Sequence, residues 1–180
     1  MAEEVMLDLE TLGTGNNAVI LSIGAVKFDP YGQGLLGELP SQSRFEAFVD
    51  PATCVAAGMQ MDANTVMWWL HPDRAPAREV LNGKDRKTLS RVLLDFASWM
   101  GDPKPVWGNG SDFDNVILRN AYTAVGQSCP WKYHQSRCFR TIRNLYPDVP
   151  VDRVGVYHSA VDDAATQALH LQAILRGVKQ

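Results

Sequence analysis

The run Val5-Met6-Leu7-Asp8-Leu9-Glu10-Thr11 constrains this chain most, because it sets two carboxylates into a stretch otherwise apolar enough for a buried strand. Side chains alternate faces along a strand, so Asp8 and Glu10 point the same way. Two like charges on one face of a core strand repel each other and resist desolvation. No Lys or Arg lies nearby in sequence to balance them. A hard divalent cation such as Mg²⁺ or Mn²⁺ suits an all-oxygen pair. The competing reading ends the strand at Leu7 and leaves both carboxylates as solvated turn residues. This stretch alone leaves both open.

The rest of the chain reads as strands first, then helices with one further strand. Ala18 to Phe28 is apolar on both faces and belongs well inside a sheet. Asp29-Pro30-Tyr31-Gly32 turns the chain, and Arg44 to Val49 reads as a third strand, which together predict an antiparallel meander. Asp62 is placed to cap a helix that carries Trp68 and Trp69 and stops before Pro72. Apolar residues at helical spacing predict a helix from Leu89 to Met100. A short strand at Pro105-Val106-Trp107-Gly108 follows. Helices are expected over Asp112 to Val125, Ser136 to Tyr146 and Ser159 to Leu175, with Gly126 and Gly177 as closing residues. This order fits an α/β protein, a mixed sheet flanked by helices.

With 180 residues, 46% of them hydrophobic, the chain has the size and composition of one globular domain, 1–180. No apolar run approaches the roughly 18 residues of a membrane span. Cys54, Cys129 and Cys138 show no metal-finger spacing and read as reduced thiols of a cytoplasmic protein. The net charge of −3 argues against broad electrostatic binding of duplex nucleic acid. It does not argue against gripping a short strand end, since clustered carboxylates lower net charge where metal ions restore it locally.

Two later patterns bear on the acidic pair. Gly108-Asn109-Gly110-Ser111-Asp112-Phe113-Asp114 follows the short strand and opens a helix, where α/β sheets commonly build sites. Tyr157-His158-Ser159-Ala160-Val161-Asp162-Asp163 opens the last helix. Each Asp, taken alone, reads equally well as a first-turn residue favoured by the helix dipole. Asp-x-Glu on a strand, Asp after a later strand and His followed five residues on by Asp occur here in the order a two-metal nuclease needs.

Asp8-x-Glu10, Phe113-Asp114 and His158-x₄-Asp163 resemble the DEDDh subfamily of DnaQ-like 3′→5′ exonucleases, which have a ribonuclease H-like fold. Trp107-Gly108-Asn109-Gly110 with Phe113-Asp114-Asn115 is similar to phage and prophage exonucleases, the branch of exodeoxyribonuclease VIII-like and RNase AS-like proteins. The resemblance implies a mixed five-stranded sheet and a single exonuclease domain in a bacterial or phage-infected bacterial cell. It implies that Asp8, Glu10, Asp114 and Asp163 ligate two Mg²⁺ or Mn²⁺ ions, with Asp8 bridging them. His158 would be the general base, a role suited to an imidazole that titrates near neutrality. In that scheme one ion activates the attacking water and the other stabilises the departing 3′-oxygen. Thr11, Leu12, Asn109 and Phe113 would contact substrate, although Asn109 stands one residue farther from Phe113-Asp114 than in many relatives.

Asp162 and Asp163 lie about 100° apart on a helix, and the family spacing selects Asp163. Tyr157 invites the sister subfamily with Tyr for His, but neither Asp stands at the distance that pattern requires. Trp68 and Trp69 are either a stacking surface for bases or core residues. Arg137, Arg140 and Arg143, with Lys132, are either a phosphate-tracking face or a solvated one. The expected activity is release of nucleoside 5′-monophosphates from the 3′ end of single-stranded DNA, with RNA as the alternative. A catalytically silent nucleic-acid-binding module and an endonuclease of the same fold are the rivals. Some relatives are dimers, so a homodimer is compatible with the resemblance.

Overall fold

The central strand of the sheet is the acidic one, buried on both faces. The computed structural model describes residues 3–37, 40–82 and 84–178. In chain order the elements are β1 (Glu4–Thr11), β2 (Ile20–Phe28), α1 (Pro40–Ser43), β3 (Arg44–Val49), α2 (Pro51–Ala56), α3 (Ala63–Leu70), α4 (Ala75–Leu81), β4 (Arg86–Lys87), α5 (Leu89–Met100), β5 (Val106–Gly108), α6 (Asp114–Ala124), β6 (Ser136–Cys138), α7 (Phe139–Leu145) and α8 (Ala160–Val178). Among the described residues the sheet has six strands in the order β4-β3-β2-β1-β5-β6. The β1-β2-β3 meander is antiparallel, while β5 joins β1 in parallel and β6 and β4 extend the two edges in parallel.

Alternation along β1 sorts its residues into two layers. Val5, Leu7 and Leu9 enter a core with Val92, Leu93 and Phe96 of α5 and Ile117, Leu118 and Tyr122 of α6. Met6, on the opposite face, packs with Phe139 of α7 and Ala164, Ala165, Ala168 and Leu171 of α8. Asp8 and Glu10 share the Met6 face, so the sheet turns both carboxylates toward α8. Burying an aliphatic side chain such as Leu171 contributes roughly 1.5–3 kcal/mol, and the alanines beside it bring the helix close to the sheet.

Gly24 fixes where α8 begins. It pairs across the sheet with Asp8, and a Cβ there would stand 2.1 Å from the carbonyl carbon of Ala160 and the amide nitrogen of Val161. Only a residue without a side chain lets the first turn of α8 rest on the strand at that point. The segment before α8 is thereby held over the acidic pair.

Several elements match the sequence reading closely. α5 spans Leu89–Met100 as expected and ends at Gly101 with φ 71°. The Asp62 side chain accepts from the amides of Asn64 and Thr65 to open α3. Other expectations are corrected. The sheet has six strands rather than five, because the two-residue β4 and three-residue β6 are too short to show a period. Ser136–Cys138 is strand, not the start of a helix; α7 begins only at Phe139. α6 starts at Asp114, two residues later than expected, and α8 continues through Gly177 to Val178. No helix of the described residues is long and apolar enough to cross a membrane.

Candidate active site

β5 stops at Gly108, opposite Leu7, so the Leu9 amide of β1 has no strand partner on that side. It donates instead to Asp114 Oδ1 at 3.2 Å, and the Asn109 amide donates to Asp114 Oδ2 at 2.9 Å. A buried amide must be paired, and here the first residue of α6 pairs it. Asp114 is 2% exposed. Its position is thus set by backbone it replaces as partner.

From the other side, Asp163 in the first turn of α8 accepts the His158 amide on Oδ2 at 3.1 Å. His158 adopts φ 62°, the one left-handed residue other than glycine among those described. That conformation costs about 1–3 kcal/mol, and the bond to Asp163 helps to hold it. The imidazole Nδ1 lies 3.9 Å from Glu10 Oε1. Three rings enclose it edge-on: Tyr157 at 4.7 Å, Trp68 at 5.4 Å and Trp69 at 6.4 Å between centroids. Trp69 is anchored by its indole N–H, which donates to the Thr11 carbonyl at 2.8 Å.

Asp8, Glu10, Asn109, His158 and Asp163 line one cleft of about 480 Å³. Oxygen and nitrogen ligand atoms of Glu10, His158 and Asp163 all lie within 4.8 Å of one another. Burial raises the Asp8 carboxyl well above the ordinary carboxylate range, and Asp114, Glu10 and Asp163 push it further. Burial, reinforced by Asp163 and Asp114, lifts Glu10 to about 8. Asp114 is raised by burial to about 7, against the opposing pull of the backbone amides of Leu9, Asn109 and Asp114 itself and of Arg140. His158 moves the other way: burial lowers it, with Arg74 and Arg153 acting in the same sense and Asp163 against. Carboxylates held so close that they resist ionising are a donor set that fits hard divalent cations. Asp8, Glu10 and Asp163 line the cleft, with Asp163 already paired to Arg153 and the His158 amide, whereas Asp114 is not among the lining residues and both its oxygens accept from backbone amides.

The other expected contacts divide. Asn109 lines the cleft, and its side-chain oxygen is buried without a hydrogen-bond partner among the described residues. Thr11 is buried, its hydroxyl donating to the Gly13 carbonyl. Leu12 and Phe113 are half-buried and pack against the β1–α5 core rather than lining the cleft. Trp69 is 5% exposed and Trp68 38%, so one indole is core and the other reaches the surface. Asp162 turns away from the cleft, paired with Arg44 at 3.4 Å and accepting from the Val156 amide at 2.9 Å.

Of Arg137, Arg140 and Arg143, only Arg143 lines the cleft. Arg140 lies against Gly110, and Arg137 sits on β6, donating to the His134 and Ser136 carbonyls. The three share no helical face, because Arg137 precedes α7. Exposed Lys132 precedes a short helical turn.

Two cleft residues bonded directly to the site's carboxylates escape the sequence reading. Arg153 forms an ion pair with Asp163 Oδ1, from a loop position that no periodicity marks. Gln167 donates from Nε2 to Asp8 Oδ1 at 2.8 Å. Its signal was present, since it stands four residues after Asp163 and so on the same face of α8.

A family model, the Rv2179c-like 3′-5′ exoribonuclease domain, matches residues 3–175. No curated protein sequence matches the chain. Among solved structures, E. coli exonuclease I in complex with a dT13 oligonucleotide is similar with a TM-score of 0.62 at 17% identity, covering 100% of this chain and 42% of that one. The zinc-bound E. coli exonuclease I–single-stranded DNA complex gives 0.62 at 16%, over 100% and 41%. An apo exonuclease I gives 0.63 at 15%, over 98% and 42%. The chain thus spans about two fifths of the exonuclease I chains it resembles. With the family model matched over nearly its whole length and a mixed sheet like that of exonuclease I, the chain belongs to the Rv2179c-like 3′-5′ exoribonuclease domain family, DnaQ-like exonucleases of ribonuclease H-like fold.

Proposed function

We propose that residues 1–180 form one domain that removes nucleoside 5′-monophosphates from single-stranded 3′ ends. The observation that carries this reading is the convergence of Asp8 and Glu10 from β1, His158 from a strained loop and Asp163 from α8 on one cleft. Asp8, Glu10 and Asp163, with Asp114 alongside, would hold two divalent ions. Such ions would acidify the attacking water and neutralise charge on the scissile phosphate and departing oxygen.

The chain's own groups do the rest. Partial burial lowers His158 below its ordinary value, which favours the neutral ring whose free nitrogen would accept the water's proton. Tyr157, Trp68 and Trp69 hold the imidazole in place. Water adds to phosphorus, the P–O3′ bond breaks, and the proton balance closes when the departing O3′ is protonated. The phosphate leaves with the terminal nucleoside. Arg143, on the cleft wall, is suited to an adjoining phosphate.

Single-stranded DNA is the polymer we propose first, supported by the dT13 and single-stranded DNA complexes of the similar exonuclease I structures. RNA is the second reading, favoured by the description of the family model. Matched 5′-labelled DNA and RNA oligomers incubated with Mn²⁺ test both. A ladder shortening from the 3′ end, with mononucleotide product, supports the exonuclease, and the faster polymer identifies the preference. Internal cuts would replace it with an endonuclease, and no turnover of either polymer would leave a binding module.

A further inference from the structure

Gln167 is 9% exposed and lines the cleft beside Asp8, to which it is hydrogen-bonded. An ionised carboxylate only accepts, so once Asp8 is ionised the amide directs its NH₂ at it, the donor direction seen here, and the opposite side is the carbonyl. That carbonyl oxygen, Oε1, is buried and has no hydrogen-bond partner among the described residues. Buried polar atoms in folded proteins are almost always satisfied. Asn109, which lines the same cleft, likewise has a buried Oδ1 with no partner among the described residues. Two carbonyl oxygens without donors, in a cleft whose carboxylates already repel one another, mark a place for a ligand that brings hydrogen-bond donors and positive charge together.

We propose that Gln167 is a positioning residue for a hydrated divalent cation: Nε2 fixes the Asp8 carboxylate, and Oε1 accepts from the cation's water shell. This rests on the reading of the cleft as a metal site. Holding Asp8 Oδ1 by one hydrogen bond limits rotation of the carboxylate and leaves Oδ2 for the ion. An outer amide that orients a ligating carboxylate typically governs metal affinity by 10–100-fold. Asp163 and Gln167, one turn apart on α8, would thus serve the same ion, one directly and the other through Asp8 and water.

The test is Mn²⁺ binding by calorimetric titration to wild type, Gln167→Met and Gln167→Leu, each checked for folding by circular dichroism. Methionine keeps the length and volume of the side chain while removing both hydrogen-bonding atoms, and leucine provides a second variant should methionine disturb the fold. The expected result is wild-type uptake of Mn²⁺ and at least tenfold weaker binding by the folded variants. Their nuclease activity should recover as Mn²⁺ is raised, which a purely structural defect would not do. Unchanged affinity in a folded variant would overturn the role of Gln167 while leaving the metal site standing. Failure of the wild type to take up Mn²⁺ would instead remove the metal reading itself.

Discussion

Arg153 pairs with Asp163 Oδ1 while the His158 amide donates to Oδ2 of the same carboxylate. One acidic side chain therefore ties the Arg153 guanidinium and the His158 backbone to the first turn of α8. The Arg153 guanidinium also stacks over Tyr157, 4.4 Å from its ring centroid. A cation held by Asp163 would compete with this guanidinium for the same oxygen, so two effects of removing Arg153 should separate. Arg153→Ala should bind Mn²⁺ at least as tightly as wild type by calorimetry. Its kcat should fall about tenfold, equivalent to about 1.4 kcal/mol, because His158 loses a support. Weaker Mn²⁺ binding would show that Arg153 assists the metal rather than opposing it.

The raised carboxyls make metal-free stability depend on pH in a definite direction. Glu10 rises from an ordinary 4.5 to about 8, and Asp8 rises in the same sense. The folded protein therefore holds these protons more tightly than the unfolded chain. Their stabilisation is complete below the ordinary values and is lost as pH climbs through the raised ones. In a chelator, Tm should fall between about pH 5 and about pH 8, and Mn²⁺ should restore it at the upper end. Asp8→Asn should flatten that fall and abolish cleavage with the fold intact. A wild-type Tm indifferent to pH across this range would contradict the electrostatic description.

Two glycines predict opposite outcomes for the same substitution. Gly24→Ala would drive a Cβ into the backbone of Ala160 and Val161, so α8 must lift off β2. Overpacking of this kind costs about 1–3 kcal/mol or more, and the displacement would carry Asp163 and His158 away from Glu10. Gly177 lies within α8 and has nothing within 4 Å of its would-be Cβ. Gly177→Ala should stabilise by about 0.5–1 kcal/mol through helix propensity. Urea unfolding measures both; stabilisation by Gly24→Ala would mean that the helix does not seat where described.

What the sequence disclosed, and what it did not, follows from the range of each interaction. Asp8 and Glu10 were legible because a strand's period puts them on one face, and Leu89–Met100 because its apolar spacing runs over three turns. The six-stranded sheet was not, since β4 and β6 are held by neighbours rather than by any pattern of their own. Arg137 was misplaced for the same reason: a three-residue strand looks like the start of the helix that follows it. Arg153 reaches Asp163 through the path of a loop, which no local spacing encodes. The tryptophan pair needed tertiary structure to divide, Trp69 onto the Thr11 carbonyl and Trp68 toward His158.

That last contact gives the imidazole a testable titration. Burial holds His158 below its ordinary 6.5, and a general base is active in its neutral form. The acid limb of a kcat/KM–pH profile should therefore lie below the ordinary histidine value, with activity rising as His158 loses its proton. Trp68→Ala opens one side of the ring to water, which favours the charged form. The limb should then shift upward, matched by the His158 resonance in an NMR titration of the metal-free protein. His158→Ala should lower kcat by about 10²–10⁴-fold without loss of Mn²⁺ binding beyond what a single neutral ligand accounts for. A Trp68→Ala limb that stays in place while the NMR value moves would assign the proton transfer to a group other than His158.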